Sequence, residues 1–120
     1  MEGITIVTYQ GRKIYVINFS MYGKSKEDTV ELITAIGDLF VKEPPNSVLA
    51  QVDISNAYFH WDTFKAIREL IKKTEPNNKR IAILGLKGMR KTTFKTLAGI
   101  DGTIKPFDTE EQAKEWLIGG

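Results

Sequence analysis

Between Val48 and Lys73 the sequence passes from an apolar run, through a short polar stretch, into an amphipathic segment. Val48, Leu49, Ala50, Val52 and Ile54 form a near-continuous apolar run, the pattern of a strand covered on both faces of its sheet. Such a strand followed by a helix directs the chain towards an α/β architecture. Asp53, Ser55 and Asn56 put short polar side chains where the strand ends. In open α/β sheets, ligands and partners dock outside the carboxyl ends of strands, so the candidate site falls here.

The flanking segments extend the pattern. Ile4, Ile6 and Thr8 alternate with Thr5, Val7 and Tyr9, and Lys13, Tyr15, Ile17 and Phe19 alternate with Ile14, Val16 and Asn18. With only Gln10-Gly11 as the turn between them, these two runs predict an antiparallel hairpin. Ser25-Lys26-Glu27-Asp28 is a helix start, with Ser25 as cap and Asp28 at the capping-box position. Val30, Ile33, Gly37 and Phe40/Val41 recur at helical spacing, Leu32, Ile36 and Leu39 widen the stripe, and Pro44-Pro45 ends the helix. After the Val48–Ile54 strand, a second helix carries Phe64, Ile67, Leu70 and Ile71 on one face and Lys65, Arg68, Glu69, Lys72 and Lys73 on the other. Glu75-Pro76-Asn77-Asn78 ends it.

Ile81, Ala82, Ile83, Leu84 and Leu86 predict a fourth, buried strand, and Gly88 to Gly99 a short helix with Phe94, Leu97 and Ala98 facing in. Thr103–Phe107 is a short last strand that Pro106 confines towards an edge. Asp108 or Thr109 caps a final helix with Ala113, Trp116 and Leu117 on one face. The order β-β-α-β-α-β-α-β-α predicts a single α/β domain over residues 1–120, with a mixed, mostly parallel sheet and right-handed crossovers.

Composition narrows the function classes. The 120 residues are 42% hydrophobic and 27% charged, as in ordinary globular domains. No cysteine is present, which excludes disulfides and thiolate metal sites and suits a cytoplasmic location. A net charge of +2 is too small to argue for nucleic acid. No run approaches the roughly 18 apolar residues of a membrane span. The start MEGITIVTYQ lacks the basic and apolar regions of a secretion signal. Neither nucleic acid nor stable membrane insertion is therefore expected.

Three segments, in their order and spacing, resemble the STAS family of sulfate-transporter and anti-sigma-factor-antagonist domains, and in particular its SpoIIAA-like branch, which is also grouped with SEC14-like lipid-binding domains. Val52-Asp53-Ile54-Ser55-Asn56 is similar to the family's strand-end Leu-Asp-Leu-Ser-Gly, and Ile81–Gly85 to its fourth strand. The tail Ile104–Leu117 is similar to its ending, in which a short strand leads to a Glu-Glu-x-Ala-x-x-Trp-Leu helix. The resemblance covers nearly the whole chain. It implies a SpoIIAA-like fold and a non-enzymatic role, without a cofactor, in bacterial regulation through protein–protein contact. In the antagonists, a serine of Asp-Ser-Ser-Gly at the start of the second helix is phosphorylated by a partner kinase, which releases a bound anti-sigma factor. Anchored on Asp53 without gaps, Trp61-Asp62-Thr63-Phe64 lies over that motif, and Thr63 holds the acceptor hydroxyl. Asp62 replaces the first serine, and Trp61 and Phe64 replace the Asp and the Gly. The standard phospho-serine motif is absent, and Phe64 in place of Gly changes how closely a partner backbone can approach.

Each candidate residue has a plain reading beside a functional one. Asp62 serves as a helix cap with Thr63 in the first turn, or Thr63 and Ser55 are phosphate acceptors. Asp53 and Ser55 hold a turn through their side chains, or they floor a binding site. His60 is the only histidine, so zinc would need three carboxylates. A triad of Ser55, His60 and Asp53 lacks a nucleophile elbow, and neither a catalytic nor a metal site is expected. In the cluster Tyr58-Phe59-His60-Trp61, either Phe59 and Trp61 plug the core above the sheet, or the cluster forms a docking patch or an apolar pocket mouth.

Gly85-Leu86-Lys87-Gly88-Met89-Arg90-Lys91 lacks phosphate-loop spacing. Lys87, Arg90 and Lys91 oppose the helix dipole as a solvated basic start, or they attract an anion on an acidic partner, a phospholipid or a phosphate. Together Asp53, Ser55, Asn56, Phe59, His60, Trp61, Asp62, Thr63, Lys87, Arg90 and Lys91 predict a surface for a protein partner. The alternative is a small apolar lipid or an anion held between the aromatic residues 58–61 and the basic residues Lys87, Arg90 and Lys91, and a closed apolar pocket lined by Phe59, Trp61 and Phe64 would distinguish it. The sequence leaves oligomeric state open, with Tyr9, Tyr15 and Tyr22 marking a candidate dimer face.

Overall fold

Gln10 and Gly11 adopt left-handed backbone conformations, with φ of 50° and 78°. A two-residue hairpin connection requires that geometry. They join β1 (Ile4–Tyr9) to β2 (Arg12–Asn18) in an antiparallel pair that runs from Tyr9 opposite Arg12 to Ile4 opposite Ile17. The structure is a computed structural model. It describes residues 3–19, 26–55, 61–86 and 102–119, without the side chains of 61, 62 and 64.

The chain continues through α1 (Lys26–Phe40), β3 (Val48–Asp53), α2 (Trp61–Thr74), β4 (Asn78–Leu84), β5 (Ile104–Phe107) and α3 (Glu110–Ile118). The helix expected over Gly88–Gly99 lies outside the described residues. The five strands form one mixed sheet in the order β1-β2-β3-β4-β5, and every pairing from β2 onwards is parallel. Pro106 sits in the edge strand β5, where its missing N–H costs no ladder bond.

Two apolar layers enclose the sheet. On one face α1 and α2 pack over Tyr15, Ile17, Ala50, Ile54, Ile81 and Ile83. On the other, α3 places Ala113 and Leu117 against Ile14, Leu49, Ala82 and Leu84. Thr109 rather than Asp108 is the cap of α3, its Oγ1 accepting from the Gln112 N–H at 3.2 Å. Trp116 lies against Phe107, with ring centroids 5.3 Å apart. Arg80 stacks on the Trp116 indole and donates to the Trp116 carbonyl. No helix among the described residues is long and apolar enough to cross a membrane.

Three local expectations change in the folded chain. The buried stripe of α1 runs through Thr29, Leu32, Ile33, Ile36, Gly37 and Phe40, while Val41 is exposed. Gly37 faces α2, where a Cβ would sit 3.2 Å from Leu70 Cδ1. β4 begins at Asn78, which the sequence assigns to a helix stop, and it ends before Leu86. The ladder explains this early start: Val48 pairs with Asn78, Leu49 with Arg80, and the register shifts between them. Finally, β3 is not purely apolar, because Gln51 is buried in its middle with Nε2 3.4 Å from Glu110 Oε1.

Candidate functional site

The parallel strands end in one rim. Asn18 of β2 pairs with Asp53 of β3, Asp53 with Leu84 of β4, and Leu84 with Phe107 of β5. Just past the ladder, the Ile54 N–H donates to the Leu84 carbonyl at 2.9 Å. The Ser55 N–H then donates to Asp53 Oδ1 at 2.9 Å, so the carboxylate closes a turn over its own strand end. The Asp53 side chain thus bonds a nearby backbone donor, as its plain reading expects, and its other carboxylate oxygen is not used in this bond.

What the turn rests on was not singled out in the sequence. Gly85 follows β4 with φ of +91°, and a Cβ there would lie 2.4 Å from Ser55 Oγ and 2.6 Å from Ser55 N. Only a residue without a side chain lets the two strand ends approach so closely. A glycine directly after a buried strand was the available signal, although it reads equally well as an ordinary loop residue.

α2 begins at Trp61, so Asp62 lies inside the first turn rather than at the cap. Thr63 is fully buried, and its Oγ1 has no hydrogen-bond partner among the described residues. A hydroxyl in that state is inaccessible to a kinase until the first turn opens. Ser55 is the accessible one of the two proposed acceptors, being half-buried. Asn56, Phe59, His60, Lys87, Arg90 and Lys91 lie outside the described residues, as do the side chains of Trp61 and Asp62. Among the expected site residues the structure thus brings together Asp53 and Ser55, and it sets Thr63 in the core.

A small cavity of about 60 Å³ separates α1 and α2 from the sheet, lined by Phe40, Val52, Leu70 and Ile83 with Thr74 and Asn78. An engineered cavity of roughly 150 Å³ is enough for benzene, and drug-sized pockets start near 300 Å³. This void is therefore smaller than a lipid chain requires. Among the described residues no group of three or more His, Asp or Glu side chains is placed to hold a metal ion.

Among the described residues, an ionisable cluster lies at the other end of the strands. Lys13 Nζ and the Tyr15 hydroxyl donate to the same Glu43 Oε1, at 2.8 and 2.7 Å. The Lys13 hydrogen bond, followed by that of Tyr15, holds the Glu43 carboxyl below its usual range. Burial, aided by the adjacent carboxylate, pushes the Tyr15 hydroxyl up, and the bond to Glu43 raises Lys13. Tyr15 also packs on Phe40, with centroids 5.0 Å apart. With only 3% of its surface exposed, Tyr15 cannot serve the dimer face expected of it. Tyr9 is half-buried, and Tyr22 lies outside the described residues.

Neither a family model nor a curated protein matches the sequence. Solved structures do. The chain superposes on an uncharacterised DUF3478-family protein with a SpoIIAA-like fold from Shewanella loihica, with a TM-score of 0.68 and 18% identity over 95% of this chain and 91% of that one. It also superposes on an anti-sigma-factor antagonist (STAS) domain protein from Planctomyces limnophilus, with a TM-score of 0.62 and 9% identity over 95% and 97%. The fold is SpoIIAA-like, as the sequence resemblance implied.

Proposed function

We propose that this SpoIIAA-like domain is a non-enzymatic STAS-type module that docks a protein partner at the carboxyl rim of its parallel sheet, in cytoplasmic signalling. The observation that carries the reading is the Asp53–Ser55 turn seated against Gly85. It gives the rim a closely packed backbone platform, from which the chain leaves towards α2 on one side and beyond Leu86 on the other. Similarity to an anti-sigma-factor antagonist domain supports the same kind of work, at the level of fold. In this reading Asn56, Phe59, His60 and Trp61 supply contact area, Asp53, Ser55 and Asp62 polar contacts, and Lys87, Arg90 and Lys91 the attraction for an acidic partner surface. A phosphate switch at this rim acts through Ser55, or through Thr63 once the first turn of α2 opens.

Quantitative capture of partners from the native cytoplasm, with the unmodified chain and a Lys87→Glu/Arg90→Glu/Lys91→Glu variant, tests the reading. Loss of a specific partner by tenfold or more from the variant, with its circular dichroism unchanged, is the expected result. Equal recovery of every partner by both proteins would refute the role of the three basic residues.

A further inference from the structure

The two edges of the sheet are built differently. β5 has four residues and carries Lys105 and Pro106, both of which discourage another strand from pairing. β1 has six residues, Ile4-Thr5-Ile6-Val7-Thr8-Tyr9, with no charge, no proline and no glycine. Among the described residues nothing covers it: Thr5, Ile6 and Thr8 are exposed, and Ile6 keeps 54% of its surface in solvent.

The hairpin register decides which backbone groups this edge offers. Asn18 N–H donates to the Gly3 carbonyl at 2.7 Å, and Ile4 opposes Ile17. Hydrogen-bonded pairs alternate along an antiparallel ladder, so Thr5, Val7 and Tyr9 turn their amides towards β2. Ile4, Ile6 and Thr8 turn theirs outward. The Ile6 side chain shares a sheet face with Ile4 and Tyr15, on the side covered by α1 and α2.

We propose that two copies of the chain associate edge to edge through β1, antiparallel about a two-fold axis at Ile6. In this register Ile6 opposes its own symmetry mate, and Ile4 opposes Thr8 of the other copy. Each of these pairs exchanges both of its hydrogen bonds, because the outward-facing residues meet one another. The paired Ile6 side chains bury each other on the helix side. A two-fold contact sets the residue on its axis against its own copy, so a single charge there would repel itself. The uncharged edge is suited to such a contact. A strand-only contact is small, so the dimer forms in a concentration-dependent way. The contact is independent of the rim at the carboxyl ends of the strands, and its failure leaves the partner-docking reading intact.

Sedimentation equilibrium over a wide concentration range, on the unmodified chain and on Ile6→Lys, reads the association. Single-cysteine variants read the register, since the chain has no cysteine of its own. Ile6→Cys should cross-link to a covalent dimer under mild oxidation, because opposed Cα atoms lie about 5.5 Å apart. Thr8→Cys should not, because its symmetry mate is displaced by four residues, about 14 Å. The expected result is a doubling of apparent mass at high concentration that Ile6→Lys abolishes, with cross-linking at position 6 alone. A chain that stays monomeric at every concentration overturns the proposal. So does a dimer that survives Ile6→Lys, or one that cross-links as readily through position 8. Should Ile6→Lys fail to fold, the two cysteine variants decide the matter.

Discussion

Glu43 is the residue on which two side chains of β2 converge, and its chemistry sets a pH window. Its carboxyl is held low by the Lys13 and Tyr15 hydrogen bonds. Its stabilising contribution is thus present above the unfolded-state value near 4.3 and is lost as pH falls through the lower folded value. Tyr15 and Lys13 are both raised, so their contributions are present below about 10 and are lost as pH rises through the folded values. The advantage in melting temperature of the unmodified chain over Glu43→Gln should therefore be flat between about pH 5 and 9 and shrink on the acid side. An advantage that does not change with pH would show that the ion pair is irrelevant to stability. Tyr15→Phe removes one hydrogen bond but keeps the ring against Phe40, and should cost about 1 kcal/mol in urea unfolding.

Gly85 belongs to the same scale. Gly85→Ala forces a side chain into a left-handed conformation and against Ser55, and should cost about 2–4 kcal/mol. Adding Ser55→Ala removes the nearer obstacle, the hydroxyl, but leaves the Ser55 backbone N 2.6 Å away. The double variant should stay as unstable as the single one, and full recovery would show that only the hydroxyl mattered.

At the scale of elements, the α1–α2 contact turns on one position. Gly37 allows Leu70 close to the α1 backbone, and the neighbouring Lys73–Asp38 pair is largely exposed and contributes little. An alanine at 37 would gain about 1 kcal/mol of helix propensity. It would press only on the far end of Leu70, which can turn aside. Gly37→Ala should therefore raise the urea midpoint slightly, whereas Gly37→Leu should separate the helices and lower it; a drop for alanine would mean that the interface is rigid. The stripe of α1 was legible from its period. Its exact bearing was not, because Thr29 and Val41 exchange places depending on where α2 and the sheet lie. Gln51 was hidden for the same reason: one polar residue in an apolar run reads as noise until α3 brings Glu110 to it.

The molecule as a whole is asymmetric. Two helices cover one face of the sheet, while α3 is the element described on the other, held by Trp116 against Phe107 and Arg80. Trp116→Ala should loosen that layer, cost about 3 kcal/mol and expose Leu84 and Ala82 to a dye that binds apolar surface. Unchanged stability would show that Leu117 and Ala113 suffice. By itself, the sequence determined what depends on near neighbours: the hairpin turn at Gln10-Gly11, the cap of α3 near Thr109, the alternation of strands and helices, and Pro106 at an edge. Turn geometry, capping and periodicity involve residues a few positions apart, so a linear pattern records them. The tertiary structure alone decided which distant groups meet: Gly85 with Ser55, Tyr15 with Glu43, Asn78 with Val48, and Thr63 with the core. The three residue pairs lie 28 to 30 positions apart, and only the packing of whole layers brings them together.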